Sequence, residues 1–210
     1  MAHSKEQSSA ALMLIPSKFS QPECLNTSLA RERLQSRLTA LSAGDGTGIQ
    51  NASFNSTYSG SAYKVVLVHS PAGYGKTTAV NQWLSDSDEA VAWFTIDDSD
   101  NESIRFASYL LASLNRQDDS NCPVTLKAAL NGNYDSLEYL FTHLFSEMGQ
   151  HQHPLTLVLD DYHLIDSPDI HQAMRFFIKH MPPWLRLVIT SRTLPPIGIG
   201  SLRVQGKLLE

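Results

Sequence analysis

The stretch Tyr63-Lys64-Val65-Val66-Leu67-Val68-His69-Ser70-Pro71-Ala72-Gly73-Tyr74-Gly75-Lys76-Thr77-Thr78 decides the fold. Its first seven residues are an almost unbroken apolar run, the pattern of a strand buried on both faces of a sheet. A glycine-spaced turn follows, and from Lys76 the chain reads as a helix to about Ser85. A buried strand, a glycine loop and a helix opening on Lys-Thr are the context in which a phosphate-binding P-loop works. Gly73 and Gly75 let the backbone wrap an anion with its N–H groups pointing inward. The helix start adds the positive end of its dipole. The candidate phosphate cradle is therefore Ser70, Pro71, Ala72, Gly73, Tyr74, Gly75, Lys76, Thr77 and Thr78. Lys76 reaches the outer phosphates of a nucleoside triphosphate, and Thr77 offers a hydroxyl to Mg²⁺. Ser70 stands where the pattern has glycine; serine is small and keeps its N–H, so a functional loop is still expected.

Downstream, strands and helices alternate. Ala90–Ile96 and Leu155–Leu159 read as strands, and Leu185–Thr190 as a fourth. Ser99 and Glu102 have capping-box spacing for a helix reaching Asn115. A weaker helix is expected over Val124–Leu130. A clear one runs from Leu137 through Met148, with Gly149 as its stop, and another opens on Pro168 and runs to about Met181. Such alternation implies an α/β fold with a parallel sheet flanked by helices on both faces.

Two further motifs fit the loop. Leu155-Thr156-Leu157-Val158-Leu159-Asp160-Asp161 is an apolar strand ending in two acids, the Walker B arrangement. Asp160 is the candidate to hold Mg²⁺, with Thr77, and Asp161 to orient or activate an attacking water. Thr190-Ser191-Arg192 ends the fourth strand on the edge where the loop lies, and Arg192 is a candidate sensor of the terminal phosphate. His163 follows the acids, which are better used on Mg²⁺. His151-Gln152-His153 lacks a third ligand and reads as a polar loop. No Asn/Thr-Lys-x-Asp guanine motif occurs, which favours adenine and hence ATP/ADP as the nucleotide.

Composition sets the outer bounds. The chain has 210 residues, with 16 Lys+Arg against 21 Asp+Glu and a net charge of −5, which argues against a large basic footprint for nucleic acid. No apolar run approaches the roughly 18 residues of a membrane span. The N-terminus is polar, without a signal-peptide core, and Cys24 and Cys122 show no pairing pattern; free thiols in a reducing cytoplasm are expected. The two Asn-x-Ser/Thr matches at Asn51 and Asn55 then have no use. Residues 1–12 read as a disordered leader. Residues 13–41 carry a short apolar stretch and a helix from Ser28 to Leu41. Residues 42–62, rich in Gly, Ser and Asn, read as a flexible insertion. The nucleotide-binding core is expected over 63–210, with Lys207–Glu210 as the opening of a fifth strand that is cut short.

Taken together these residues resemble the nucleotide-binding module of the large ATP-binding LuxR-type transcriptional regulators, signal-transducing STAND ATPases of the AAA-like ASCE class. The resemblance runs from about Leu14 to Glu210. It rests on Ile15-Pro16-Ser17-Lys18, Arg31-Glu32-Arg33-Leu34, SPAGYGKTT at 70–78, Asp100 with RFASYL at 105–110, LDDYHLI at 159–165, HQAMRFFIKH at 171–180 and LRV at 202–204. It implies that Arg31 and Glu32 lie on the adenine side, and that Asp160, Asp161 and Arg192 hold Walker B and sensor positions. It also implies ATP or ADP held as a switch with slow hydrolysis, and self-association in the ATP form. Such regulators bind DNA through a C-terminal helix-turn-helix and an inducing sugar through a sensor domain; neither is in this chain. Two other readings stay open. One is a free-standing P-loop ATPase or small-molecule kinase, disfavoured because Arg105, Arg116, Arg175 and Arg186 are scattered rather than gathered in a lid. The other is a non-switching fragment that only binds partners.

Overall fold

The computed structural model describes residues 14–23, 63–87, 89–115, 123–150 and 153–210. The expected leader, the helix over 28–41, the insertion over 42–62, both cysteines, Arg31 and Glu32 lie outside those residues. The described residues form five parallel strands: β1 Val65–His69, β2 Ala90–Thr95, β3 Leu155–Asp160, β4 Leu185–Ser191 and β5 Leu208–Leu209. Their order across the sheet is β2-β3-β4-β1-β5. Among the described residues six α-helices surround them: α1 Lys76–Ser85, α2 Ser103–Asn115, α3 Pro123–Leu130, α4 Leu137–Glu147, α5 Pro168–His180 and α6 Ile199–Val204.

The register explains why the strands are apolar on both sides. Phe94, Leu159, Ile189 and Leu67 lie side by side across four strands and face one way. Trp93, Val158, Val188 and Val66, one residue earlier on each strand, form the matching row on the other face. The first row is covered by α2, α4 and α5, whose Phe106, Leu110, Phe141, Met174 and Phe177 are fully buried. Among the described residues the second is covered by the helix α1, through Val80, Trp83 and Leu84. Truncating any of the buried Leu or Phe side chains of the larger face to Ala costs about 2–5 kcal/mol.

The helix after β2 begins differently from expectation. Asp97, not Ser99, accepts the capping bond, from the Ser99 N–H at 2.9 Å, while Asp100 Oδ2 accepts from the Asp97 N–H at 2.8 Å. Residues Asp98–Asn101 form a 3₁₀ turn, and α2 starts at Ser103 with the Glu102 carbonyl as its first acceptor. The box slips upstream because Asp100 is already committed. It is fully buried, paired with Lys18 and, at 3.1 Å, with Arg105. Lys18 also lies 2.9 Å from Asp97 and over the Tyr109 ring, 4.4 Å from its centroid. Gln21 Nε2 and the Pro22 carbonyl clasp the side chain of Asn81 on α1, each at 2.7 Å. Residues 14–23 thus tie α2 to α1.

Candidate nucleotide site

Strand order builds the site. With β4 lying between β1 and β3, the C-terminal tips of these three strands are neighbours, and each ends in a residue the sequence marked. The loop after β1 has the two conformations glycine was expected to supply: φ is 79° at Gly73 and 68° at Gly75. Both are left-handed, where a Cβ is disfavoured. A Cβ at Gly73 would meet nothing within 4 Å, so the requirement there is conformational rather than spatial. Ser70 has no such requirement. Among the described residues the one non-glycine with positive φ is Asp161, so serine fits at position 70 without strain. Its N–H donates to the Ser191 carbonyl at 3.2 Å, fixing the loop to β4.

Lys76 is 7% exposed, and its ammonium donates to the carbonyls of Ser70 at 2.9 Å and Pro71 at 3.2 Å. The charge is held inside the loop, at the start of α1, and no carboxylate among the described residues is bonded to it. Pro71, Ala72, Gly73, Tyr74 and Thr78 are exposed, and Tyr74 stands out at the tip of the loop.

Thr77 Oγ1 donates to Asp160 Oδ1 at 2.9 Å, across from α1 to the end of β3. Thr190 Oγ1 donates to the same oxygen at 2.6 Å from the end of β4. Asp160 is 3% exposed. Burial raises its pKa; the two hydroxyl bonds and Lys76 work the other way, and the neighbouring Asp161 adds to the rise. Such a carboxylate is under-compensated and gains from a cation.

Asp161 takes a left-handed conformation, φ 60° and ψ 39°, and its N–H donates to Thr190 Oγ1 at 2.9 Å. Its carboxylate is one-third exposed and lies 3.7 Å from His163 Nδ1. His163 is the residue that sequence reasoning undervalued. Neither ring nitrogen has a hydrogen-bond partner among the described residues although both are buried; burial lowers its pKa, the charges of Asp161 and Asp160 work the other way, and those of Arg192 and Lys76 add to the fall. The signal was its place two residues after Asp161. Arg192 is exposed beyond β4, close enough for its charge to be felt at His163. Behind the tip, Tyr162 is buried with its hydroxyl 3.0 Å from His171 Nδ1 on α5, anchoring the turn that carries Asp161 and His163.

The residues fit a magnesium nucleotide. Thr77 Oγ1 and Asp160 Oδ1 are hard oxygen ligands within 2.9 Å of each other. Among the described residues no group of three or more His, Cys, Asp or Glu converges to hold a metal alone. That suits Mg²⁺, which is commonly bound through one or two protein oxygens plus phosphates and water. Of the residues singled out from the sequence, Ser70 to Thr78, Asp160, Asp161 and Arg192 come to one edge of the sheet.

A parallel sheet with a glycine loop after its first strand and a carboxylate on its third is an α/β P-loop NTPase fold. The family model for the AAA ATPase domain matches residues 50–189, and the chain belongs to that family. It is also similar to the HTH-type transcriptional regulator MalT of Vibrio campbellii, 44% identical over 198 residues, and to MalT of Klebsiella pneumoniae, 43% identical over 198 residues. Each match covers 94% of this chain and 20% of the relative, so the chain spans about a fifth of those proteins' length. With the AAA ATPase domain, these matches fit a MalT-like NTPase module. No described helix is long and apolar enough to cross a membrane.

Proposed function

We propose that the chain is the ATP-binding switch module of a MalT-like transcriptional activator of a maltose or maltodextrin regulon, working in the cytoplasm. The observation that carries the nucleotide part is the meeting of Lys76, Thr77 and Asp160 at one edge of the sheet, with the acid linked to Thr77 at 2.9 Å. In this reading Gly73 and Gly75 shape the amide cradle for the phosphates, and Lys76 leaves the loop carbonyls to meet the outer ones. Thr77 and Asp160 hold Mg²⁺, which supplies charge neutralisation when bound. Asp161 accepts a proton from, or orients, the attacking water. Arg192 senses the terminal phosphate, and Arg31 and Glu32 lie on the adenine side.

Hydrolysis is slow and resets the switch. Binding of ATP shifts the protein toward a form that self-associates and supports transcription. DNA and the inducing sugar are read by parts of the activator other than this chain. The scatter of arginines supports a switch over a kinase: Arg175 donates to the Pro196 carbonyl, and Arg105 and Arg186 are in ion pairs. The test is turnover with Mg-ATP, combined with thermal melts. The expected result is a higher melting temperature with Mg-ATP and turnover no faster than minutes. Fast turnover stimulated by a small metabolite would replace the switch by a kinase. No thermal response would leave a fragment that only binds partners.

A further inference from the structure

Thr190 is fully buried next to the last residue of β4, after the apolar run Leu187-Val188-Ile189, and is paired in register with Val68 of β1. A valine would suit that position in shape and strand preference. What the valine would lack is the hydroxyl, and the hydroxyl is used twice. It accepts from the Asp161 N–H at 2.9 Å and donates to Asp160 Oδ1 at 2.6 Å. A threonine hydroxyl has one proton. An ionised carboxylate can only accept, so that proton goes to Asp160, while a lone pair of the same oxygen takes the Asp161 amide. One side-chain atom therefore sets the rotamer of one acid and the backbone of the next. The second acid has a left-handed φ of 60°, a conformation a non-glycine residue holds only when its surroundings impose it.

We propose that Thr190 is a positioning residue for the metal–nucleotide site, holding Asp160 and Asp161 in register with Thr77. The proposal rests on the reading of this edge as a Mg-nucleotide site. Asp160 Oδ1 takes both hydroxyl bonds, from Thr77 on one side and Thr190 on the other. If Thr77 turns to a cation, Thr190 becomes the bond that keeps the acid in place. The role is that of an outer-shell partner, which orients a ligand without touching the metal or the phosphates.

The test is calorimetric titration of ATP into the 210-residue chain, with Mg²⁺ and with chelator, for wild type, Thr190→Val, Thr190→Cys and Thr190→Ser. Wild type is expected to bind ATP more tightly with Mg²⁺. Thr190→Val and Thr190→Cys should lose about tenfold of that Mg²⁺ enhancement, in line with outer-shell substitutions, while affinity in chelator changes by less than about twofold. Cysteine is near in shape and its thiol is a weak hydrogen-bonding group, so it keeps the test open if the valine variant fails to fold. Thr190→Ser should restore the enhancement. Full enhancement in the valine or cysteine variant, or its loss in the serine variant, overturns the proposal. Equal weakening with and without Mg²⁺ overturns it too, by assigning Thr190 a purely structural role. Failure of the underlying reading looks different: wild type and Lys76→Ala then bind ATP alike under both conditions.

Discussion

Strands β3 and β4 carry a buried polar cluster at each end, and the two clusters are built differently. At the N-terminal end, Thr156 Oγ1 donates to Glu89 Oε2 at 2.9 Å, and Arg186 Nη1 donates to the same oxygen at 2.8 Å. Thr156 and Arg186 are register partners, and the Arg186 guanidinium lies 5.9 Å from the Trp83 ring centroid. One acid meets one cation and one hydroxyl, so this end is closed. At the C-terminal end, among the described residues, Asp160 meets two hydroxyls and no bonded cation, Lys76 is turned onto loop carbonyls, and His163 has two buried nitrogens without hydrogen bonds. The same two strands thus supply a self-sufficient cluster and an incomplete one. Conflicts of this kind, a buried acid with a raised pKa near a ring without hydrogen bonds among the described residues, gather where a protein reserves groups for a ligand.

Breaking the closed end should have the largest effect on stability. Arg186→Met leaves the Glu89 carboxylate, whose side chain is 20% exposed, without its cation. The expected loss, reduced for that exposure, is about 2 kcal/mol, or a melting temperature lower by roughly 5 °C. Affinity for Mg-ATP should stay at the wild-type value. A variant that melts as wild type, or that loses nucleotide affinity, would remove the contrast.

Relieving the open end should do the opposite. Asp160→Asn keeps an acceptor for Thr77 and Thr190 and removes a charge that burial disfavours. Melting of the nucleotide-free protein should rise by roughly 2–4 °C, while the gain in ATP affinity from Mg²⁺ disappears. Lower stability in this variant would mean that the carboxylate is already satisfied.

A smaller gain is expected from His163→Leu. Replacing a buried polar group that makes no hydrogen bond among the described residues by an apolar one of similar size is neutral or stabilising, by up to about 1 kcal/mol. Denaturant unfolding would measure it, and a loss above that size would reveal a hidden partner.

The mildest effect is on pH dependence. Burial lowers the pKa of both His163 and His171 from 6.5. The unfolded chain therefore binds more protons than the folded one below that value, and stability rises with pH there. The histidine contribution is fully present above pH 6.5 and is lost as the pH falls toward the folded values. Unfolding at pH 7.5 and 5.5 should show the decline, shallower in His163→Leu; an identical decline in that variant would remove His163 from the account.

Much of this contrast was legible in the sequence, and the missing parts have physical reasons. The loop and α1 followed from Gly73, Gly75 and the apolar run before them, and α5 from Pro168 at its first turn. β4 was expected one residue short, because Ser191 looks polar although it is fully buried. The insertion of β4 between β1 and β3 was not legible, since strand order is set by packing rather than by any local pattern. Helix α6 was missed because Ile199–Val204 is short and follows glycine. Lys18 was noted only as part of a resemblance; hydropathy puts lysine outside, and its burial depends on Asp97, Asp100 and Tyr109, which are distant in sequence. Thr190 read as one letter of a strand tip. Only the fold shows that its hydroxyl lies between two acids.

The central claim is that the incomplete end of β3 and β4 is completed by a magnesium nucleotide. Titration of Mg-ATP into wild type and Lys76→Ala tests it most directly. The account predicts saturable one-to-one binding to wild type and affinity weakened by at least about tenfold, a loss of 1.4 kcal/mol or more, in the variant. Equal affinity in the two proteins would contradict it.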